Sequence, residues 1–360
     1  MKKSSILLFA FILFISCKST DLRTQQKINS ARVIAEKFLE LEKIPGMSIS
    51  VSQNNKLIWS EGFGYSNIET KEKVSPKTTQ FRIASISKSL TAVALAKLMD
   101  DGKLDFNKSI YTYVPDFPKK AYDFTVRQVG GHIAGIRHYD YSNNEKELFN
   151  VKKMSIVEGL DIFKNDSLLF KPGSKYSYST YGWNLLSVVV QNASGVEFNK
   201  YMKETIFNPL KMNSTTIGLV DKEMPNRTQF YIKDNDKVIV GPKVSNEYKA
   251  AGGGFIATSE DLIKFGNEII KPTIISKVSL KELITPQYTQ DGKSTEYGIG
   301  FGVVNTKNGT PRYSHSGGGI GSTTFLMIFP EENVVISIVT NLSQVPIRQL
   351  TAKLEDVFID

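Results

Sequence analysis

Ser85 and Lys88 stand three residues apart in "FRIASISKSL" (81–90), just ahead of an apolar run. Positions i and i+3 of a helix share a face, so this spacing lets the amine reach the hydroxyl. A serine hydroxyl is a poor nucleophile until a neighbouring base takes its proton. At an ordinary pKa of ~10.4, only about one lysine in 2,500 is neutral at pH 7. Desolvation lowers that pKa, and the apolar continuation of the helix predicts burial. A fall of about 3 units costs about 4 kcal/mol, which fits a working site better than an idle one. Ser85 is the only serine in the chain followed by lysine at the third position. Taken alone, S-x-x-K is a weak motif, and a solvated surface lysine explains it as well.

Two further stretches bear on this. "KYSYSTYGWNLLS" (175–187) puts Tyr178 at the opening of a helix. A phenol of lowered pKa there can relay a proton to a leaving group. "YSHSGGGIG" (313–321) reads as a strand carrying His315, Ser316 and Gly317. The edge of such a strand can offer a backbone N–H to a developing oxyanion, and its glycines let a substrate approach. The plain alternatives are a packed tyrosine and a turn.

The elements that must position these groups are legible as periodicities. Residues 28–44 are helix-periodic, with Ser30 as the expected cap. Residues 46–67 read as two strands joined by a turn at Gln53-Asn54-Asn55, and 85–100 as a buried helix. About 104–245 is rich in helices and loops. "PRYSHSGGGIG", "STTFLMIFP" and "NVVISIVTNLS" are three consecutive strands, and a helix from Ile347 to about Phe358 follows. Strands at both ends and helices between predict an α+β fold: one antiparallel sheet built from both chain ends, flanked by helices, with a helix-rich lobe inserted.

With 360 residues, 41% hydrophobic and 22% charged, the composition is that of a globular protein with a large core. The net charge is +9, but lysines alternate with acids and form no basic run, which argues against nucleic-acid binding. The single cysteine, Cys17, excludes an intrachain disulfide and a cysteine-based metal cluster. Neither a metal nor a cofactor is expected. Cys17 ends "MKKSSILLFAFILFISC", a basic start followed by an apolar run too short to span a bilayer. This reads as an export signal whose Ser16-Cys17 junction resembles a bacterial lipobox. The expected organisation is a signal over 1–16, a polar tether over 17–26 carrying lipid on Cys17, and a catalytic domain over 27–360. The protein is then exported and anchored to a bacterial membrane, facing the periplasm or the cell surface.

In this order the motifs resemble the serine β-lactamase-related family: class C β-lactamases, D-Ala-D-Ala carboxypeptidases, D-aminopeptidases and related esterases. The likeness covers nearly the whole mature chain through "FRIASISKSLTAVAL", "GHIAGIRHYD", "YSTYGWNLLS", "AAGGGFIATSEDLIKF" and "HSGGGIGSTTF", and is greatest to the mitochondrial subgroup. The resemblance implies a β-lactamase/transpeptidase-like fold. It implies Ser85 as acylated nucleophile, Lys88 as its base and Tyr178 as proton relay. It further implies an oxyanion hole from the N–H groups of Ser85 and Gly318, with Thr180, His315, Ser316 and Gly317 lining the substrate site. The implied activity is hydrolysis of an amide or ester in a small molecule or peptide. A catalytically idle, lipid-anchored binding protein on the same fold is the alternative.

Four positions depart from the family pattern. Thr180 replaces a common asparagine, with a shorter reach. Gly130-Gly131 stands where two leucines are usual, and His132 beside it is expected to bond nearby backbone. His315 replaces a lysine. An ordinary imidazole titrates near 6.5, so His315 is expected to be mostly neutral at pH 7 and to regain charge for a substrate carboxylate as pH falls. That disfavours efficient β-lactam hydrolysis. Two rivals fail: an α/β-hydrolase needs G-x-S-x-G, which is absent, and "DGKS" (291–294) lacks the earlier P-loop glycine, Gln287 occupying its place.

Overall fold

The computed structural model describes residues 4–143 and 147–359, with side chains from Leu22 onward. Two units divide the chain, one of residues 1–43 and 346–360, the other of Ile44–Val345. In the first, helix α1 (Ser4–Leu41) packs against the C-terminal helix. Ser30 lies inside α1 rather than capping it, because the helix begins upstream at Ser4. Its apolar stripe Ile28, Ala31, Ala35 and Phe38 is buried, at helical spacing. The backbone of the expected tether is helical, and the side chain of Cys17 lies outside the described residues.

The second unit is organised by a seven-stranded antiparallel sheet. In chain order its early strands are β1 (Gly46–Gln53), β2 (Lys56–Asn67) and β3 (Glu72–Lys73). Asn54 and Asn55 join β1 to β2, both with positive φ (52° and 60°), the two-residue turn whose twist matches the strands. After the short strand β4 (Phe81–Arg82) comes helix α2 (Ile86–Asp100), then α3 (Val126–Gly130) and α4 (Thr180–Ser194). Short strands β5 (Thr216–Ile217), β6 (Tyr231–Asp234), β7 (Lys237–Val240) and β8 (Phe255–Ala257) follow, then helices α5 (Ser259–Ile270) and α6 (Lys277–Ile284). The sheet is completed by β9 (Gly302–Asn305), β10 (Pro311–Gly319), β11 (Ser322–Phe329) and β12 (Val334–Thr340), and α7 (Ile347–Phe358) ends the chain.

The strand order is β3-β2-β1-β12-β11-β10-β9, so the two chain ends meet at the β1–β12 pair. Register runs from Met47 opposite Thr340 to Gln53 opposite Val334. Both strands are almost continuously apolar or small, and both are buried along their length, as strands covered on both faces must be. Every pairing in this sheet is antiparallel, which removes the α/β-hydrolase rival. Helix α2 is buried around nearly its whole circumference, Ile86 to Ala96, as an apolar helix in the middle of a core should be. It lies against α4 and reaches β10 and β11.

Helix α5 packs on β12 through a glycine. A Cβ at Gly266 would lie 2.3 Å from Val335 Cγ1, far inside contact distance. Gly266→Ala is therefore expected to destabilise by ~1–2 kcal/mol, overpacking outweighing the helix-propensity gain. Val335→Ala in the same chain should recover part of the loss. Urea titration of the two single variants and the double variant measures this, and a stabilised Gly266→Ala protein would contradict the packing.

Candidate active site

Ser85 occupies the N-cap of α2, yet its side chain makes no capping hydrogen bond. A cap serine normally accepts from the first turn of its helix. Ala84 before it has φ +45°, a left-handed conformation that an L-residue adopts at a cost and that aims the next side chain out of the helix path. Ser85 is thus partly exposed, its hydroxyl directed at Lys88. Ser87, the nearest other hydroxyl, is fully buried on another face and accepts the Phe255 N–H.

The Lys88 side chain is wholly buried. Its Nζ lies 3.1 Å from Ser85 Oγ, 3.2 Å from Thr180 Oγ1 and 2.5 Å from the Gly252 carbonyl oxygen. Burial holds its pKa well below the ordinary lysine value. Nζ donates to all three oxygens, so the buried amine has a partner for each of its protons. Gly252 belongs to a wide turn, Ala250–Gly254, that leads into β8. A Cβ there would stand 2.7 Å from Thr180 Cγ2, so glycine at this position lets the carbonyl approach the amine. Gly252 had not been singled out from the sequence, because a carbonyl carries no residue-type signal.

Tyr178 precedes α4, and its phenol lies beside the Ser85 and Thr180 hydroxyls, which moderate its pKa. Its ring centroid is 4.9 Å from Lys88 Nζ. The phenol pKa is raised, not lowered as expected, because burial disfavours the phenolate. Tyr178 therefore keeps its proton at neutral pH, whereas burial weakens the hold of Lys88 on its own. Thr180 also departs from expectation. Its side chain is buried, its hydroxyl accepts from Lys88 Nζ at 3.2 Å, and its N–H donates to His138 Nδ1 at 3.1 Å. Through these bonds it ties Lys88 to His138.

His315 is 6% exposed, and its Nδ1 donates to the Ser316 carbonyl at 2.7 Å. Its Nε2 then accepts from the Tyr297 hydroxyl at 2.8 Å. Burial first, and the Lys88 charge second, lower its pKa to about 3. The expected titration near neutrality is therefore corrected: this imidazole stays neutral throughout the physiological range. Beyond Ser314, β10 has no strand partner on its outer edge among the described residues, which leaves backbone groups there free for a substrate. Ser316 and Gly318 are exposed along it. A Cβ at Gly317 would stand 2.2 Å from Thr324 Oγ1 and 2.4 Å from the Ile83 carbonyl oxygen, so glycine seats the strand against the segment leading into Ser85.

His132 Nδ1 accepts the Ser179 N–H at 3.1 Å, and its ring lies 4.3 Å from that of Tyr178. It supports Tyr178 and does not reach Ser85 by any hydrogen bond among the described residues. Gly130 and Gly131 have a packing reason: a Cβ on either would strike Ile299 Cγ2 at 2.8 Å or Gln287 Cγ at 2.4 Å. Among the described residues no cluster of His, Cys, Asp or Glu could hold a metal ion.

Residues 32–356 match the model of the family described as Beta-lactamase. The human mitochondrial "Serine beta-lactamase-like protein LACTB" is 32% identical, over 91% of this chain and 79% of its own length. "Protein flp" of Staphylococcus aureus (strain NCTC 8325 / PS 47) is 26% identical, over 94% of this chain and 67% of its own. Among solved structures, the octameric penicillin-binding protein homologue from Pyrococcus abyssi superposes with a TM-score of 0.79 at 23% identity, covering 92% of this chain and 77% of that one. The D-amino acid amidase from Ochrobactrum anthropi SV3 gives 0.78 at 20%, covering 92% and 98%. At those identities the structural likeness shows a shared β-lactamase/transpeptidase-like fold. With a family match over most of its length and a relative above 30% identity, this chain belongs to the beta-lactamase family, whose fold and relatives mark it as of the serine hydrolase type.

Proposed function

We propose that the protein hydrolyses an amide or ester bond through an acyl-enzyme on Ser85. The observation that carries this reading is a fully buried lysine amine 3.1 Å from a partly exposed serine hydroxyl. As Ser85 Oγ attacks the carbonyl, its proton passes to the neutral Lys88 amine. The oxyanion forms at the N-terminus of α2, where the Ser85 N–H and the Gly318 N–H on the open edge of β10 are the donors. Tyr178 gives its proton to the leaving group and recovers one from Lys88 through the hydroxyls they share. Water then attacks the acyl ester by the reverse relay, releasing the acid. A neutral His315 supports peptidase, esterase or amidase substrates over carboxylate-bearing β-lactams, which lack a permanent cation there.

Ser85→Ala is expected to abolish labelling by a fluorophosphonate, with the adduct in the parent protein found on Ser85 by peptide mass. Lys88→Ala and Tyr178→Phe should each lower turnover of a phenyl ester at least ~100-fold, the usual scale for positioned acid–base groups. A Lys88→Ala protein of near-parental rate would end this mechanism.

The pH dependence follows from the two depressed groups. The Lys88 ammonium loses its proton well below the ordinary lysine value, and only the free amine is a base. On a neutral ester, kcat/KM should therefore rise with pH through that depressed value and stay level above it. His315, neutral above about 3, should add no limb near pH 6.5. His315→Gln is expected to leave the midpoint unmoved. An inflection near 6.5 that disappears in His315→Gln would return the imidazole to the chemistry.

The N-terminal reading remains part of the proposal: lipid on Cys17 tethers the hydrolase to a membrane surface. Among the described residues no helix is long and apolar enough to cross a membrane. Stable anchoring by acyl chains takes more than one of them. Fractionation of cells expressing Cys17→Ala should find the protein soluble, whereas a mature N-terminus elsewhere, without acyl mass, would indicate an ordinary secretory signal.

A further inference from the structure

Helix α4 begins inside the site, and two of the acceptors at its N-terminus come from outside the helix. The first N–H groups of any helix lack partners within it. Ser179, the N-cap, takes the Gly182 N–H on its own hydroxyl at 2.9 Å. The N–H groups of Ser179 and Thr180 go to imidazoles from an earlier segment. His132 Nδ1 accepts the first and His138 Nδ1 the second, each at 3.1 Å. The Arg137 carbonyl accepts the Ser179 hydroxyl at 2.7 Å. Residues 132–138 therefore clamp the start of the helix that Tyr178 precedes and Thr180 opens.

Of the two imidazoles, His138 is the one with a path to the nucleophile. Thr180, whose N–H it accepts, takes a hydrogen bond from Lys88 Nζ at 3.2 Å, and Nζ lies 3.1 Å from Ser85 Oγ. Three consecutive hydrogen bonds join the ring to Ser85. Tyrosines fix its orientation. It stacks on Tyr139, with centroids 4.4 Å apart and 29° between planes. Tyr178 and Tyr141 stand nearly perpendicular to it, at 5.5 and 6.0 Å. Since Nδ1 accepts, the ring proton is on Nε2. Accepting requires a neutral ring, and the N-terminus of a helix disfavours a cation. Burial first, then the charges of Lys88, Lys249 and Arg137, lower the His138 pKa to about 4. The titratable groups around the ring are these cations, His132, and the phenols of Tyr139, Tyr141 and Tyr178.

We propose that His138 is a positioning residue: its Nδ1 fixes the Thr180 backbone and, through the Thr180 hydroxyl, the Lys88 amine beside Ser85. This rests on the hydrolase reading above and adds to it a residue outside the reacting groups. Without the acceptor, the Thr180 N–H turns to water and the first turn of α4 loosens. The Thr180 hydroxyl withdraws from Lys88, water reaches the amine, and its proton affinity returns toward that of an ordinary lysine. His132 touches α4 one residue earlier, at Ser179, and its bond does not pass through Thr180.

Side chains of graded reach test this. Asparagine places an oxygen as many bonds from the backbone as Nδ1, glutamine places it one bond further, and leucine has no acceptor. His138→Leu and His138→Gln are expected to lower kcat on a phenyl ester at least ~10-fold with KM little changed, as a displaced catalytic group would. The midpoint of kcat/KM against pH should rise by at least ~0.5, as Lys88 regains water. His138→Asn should recover most of both. Hydrogen exchange at the Thr180 amide should quicken at least ~10-fold in His138→Leu and slow again in His138→Asn. Melting curves separate these effects from loss of fold, and the contrast of His138→Gln with His138→Asn carries the test should His138→Leu not fold. A folded His138→Leu protein with parental kcat and midpoint overturns the positioning role and leaves the hydrolase reading standing. Equal losses in the asparagine and glutamine variants do the same, because reach then plays no part. A parental protein that takes no phosphonate on Ser85 and turns over no ester removes the hydrolase reading, and this role with it.

Discussion

The structure turns on taking the Lys88 amine out of water, which pulls its pKa well below the ordinary lysine value. Water would protonate it, so α2 is apolar around its circumference and closed in by α4 and the strands. Desolvation alone would leave a polar group without partners, and three segments far apart in sequence therefore converge on it. That convergence dictates glycines elsewhere. Gly252 has no room for a Cβ beside Thr180, and one at Gly300 would lie 2.9 Å from the Lys88 carbonyl. A packed interior tolerates such demands only where side chains are deleted to make space.

The same low dielectric shapes the surrounding shell. All three histidines of the chain, His132, His138 and His315, have rings within 6.4 Å of the Tyr178 ring. Each has its pKa lowered, first of all by burial. They accept backbone N–H groups or a tyrosine hydroxyl, and none hydrogen-bonds Ser85 or Lys88 among the described residues. A shell of neutral rings positions the phenol without buffering it.

How much of this was legible depends on whether a feature is carried by residue type or by tertiary context. The strands at both ends announced themselves through short apolar runs and the Asn54-Asn55 turn, and Ser85 with Lys88 through helical spacing. The β-lactamase-related resemblance rested on those motifs and agrees with the family match. What stayed hidden was set by burial. The phenol of Tyr178 and the imidazole of His315 take their proton affinities from surroundings that no local pattern encodes. The bond from Lys88 to the Thr180 hydroxyl likewise came from packing that no local pattern encodes. Gly252 acts through its carbonyl. Ser30 resembled a cap only because the helix was read as starting too late.

The pairing of β1 with β12 has a consequence for the order in which the protein comes into being. Met47 sits opposite Thr340, so the central pair of the sheet closes a loop of most of the chain. Contacts that distant form late, since their closure entropy precedes any reward. Ser85 and Lys88 leave the ribosome long before β10 to β12 do. Until those strands arrive, α2 lacks the cover that removes water from Lys88, and an amine in water is an ordinary, protonated lysine. At synthesis rates of ~5–20 residues per second, the interval lasts on the order of ten seconds or more. On the proposed mechanism, the nascent chain thus carries Ser85 beside an ordinary ammonium while it is still unfolded and near other growing chains. The buried amine and the open edge of β10 become available together, with the last strands.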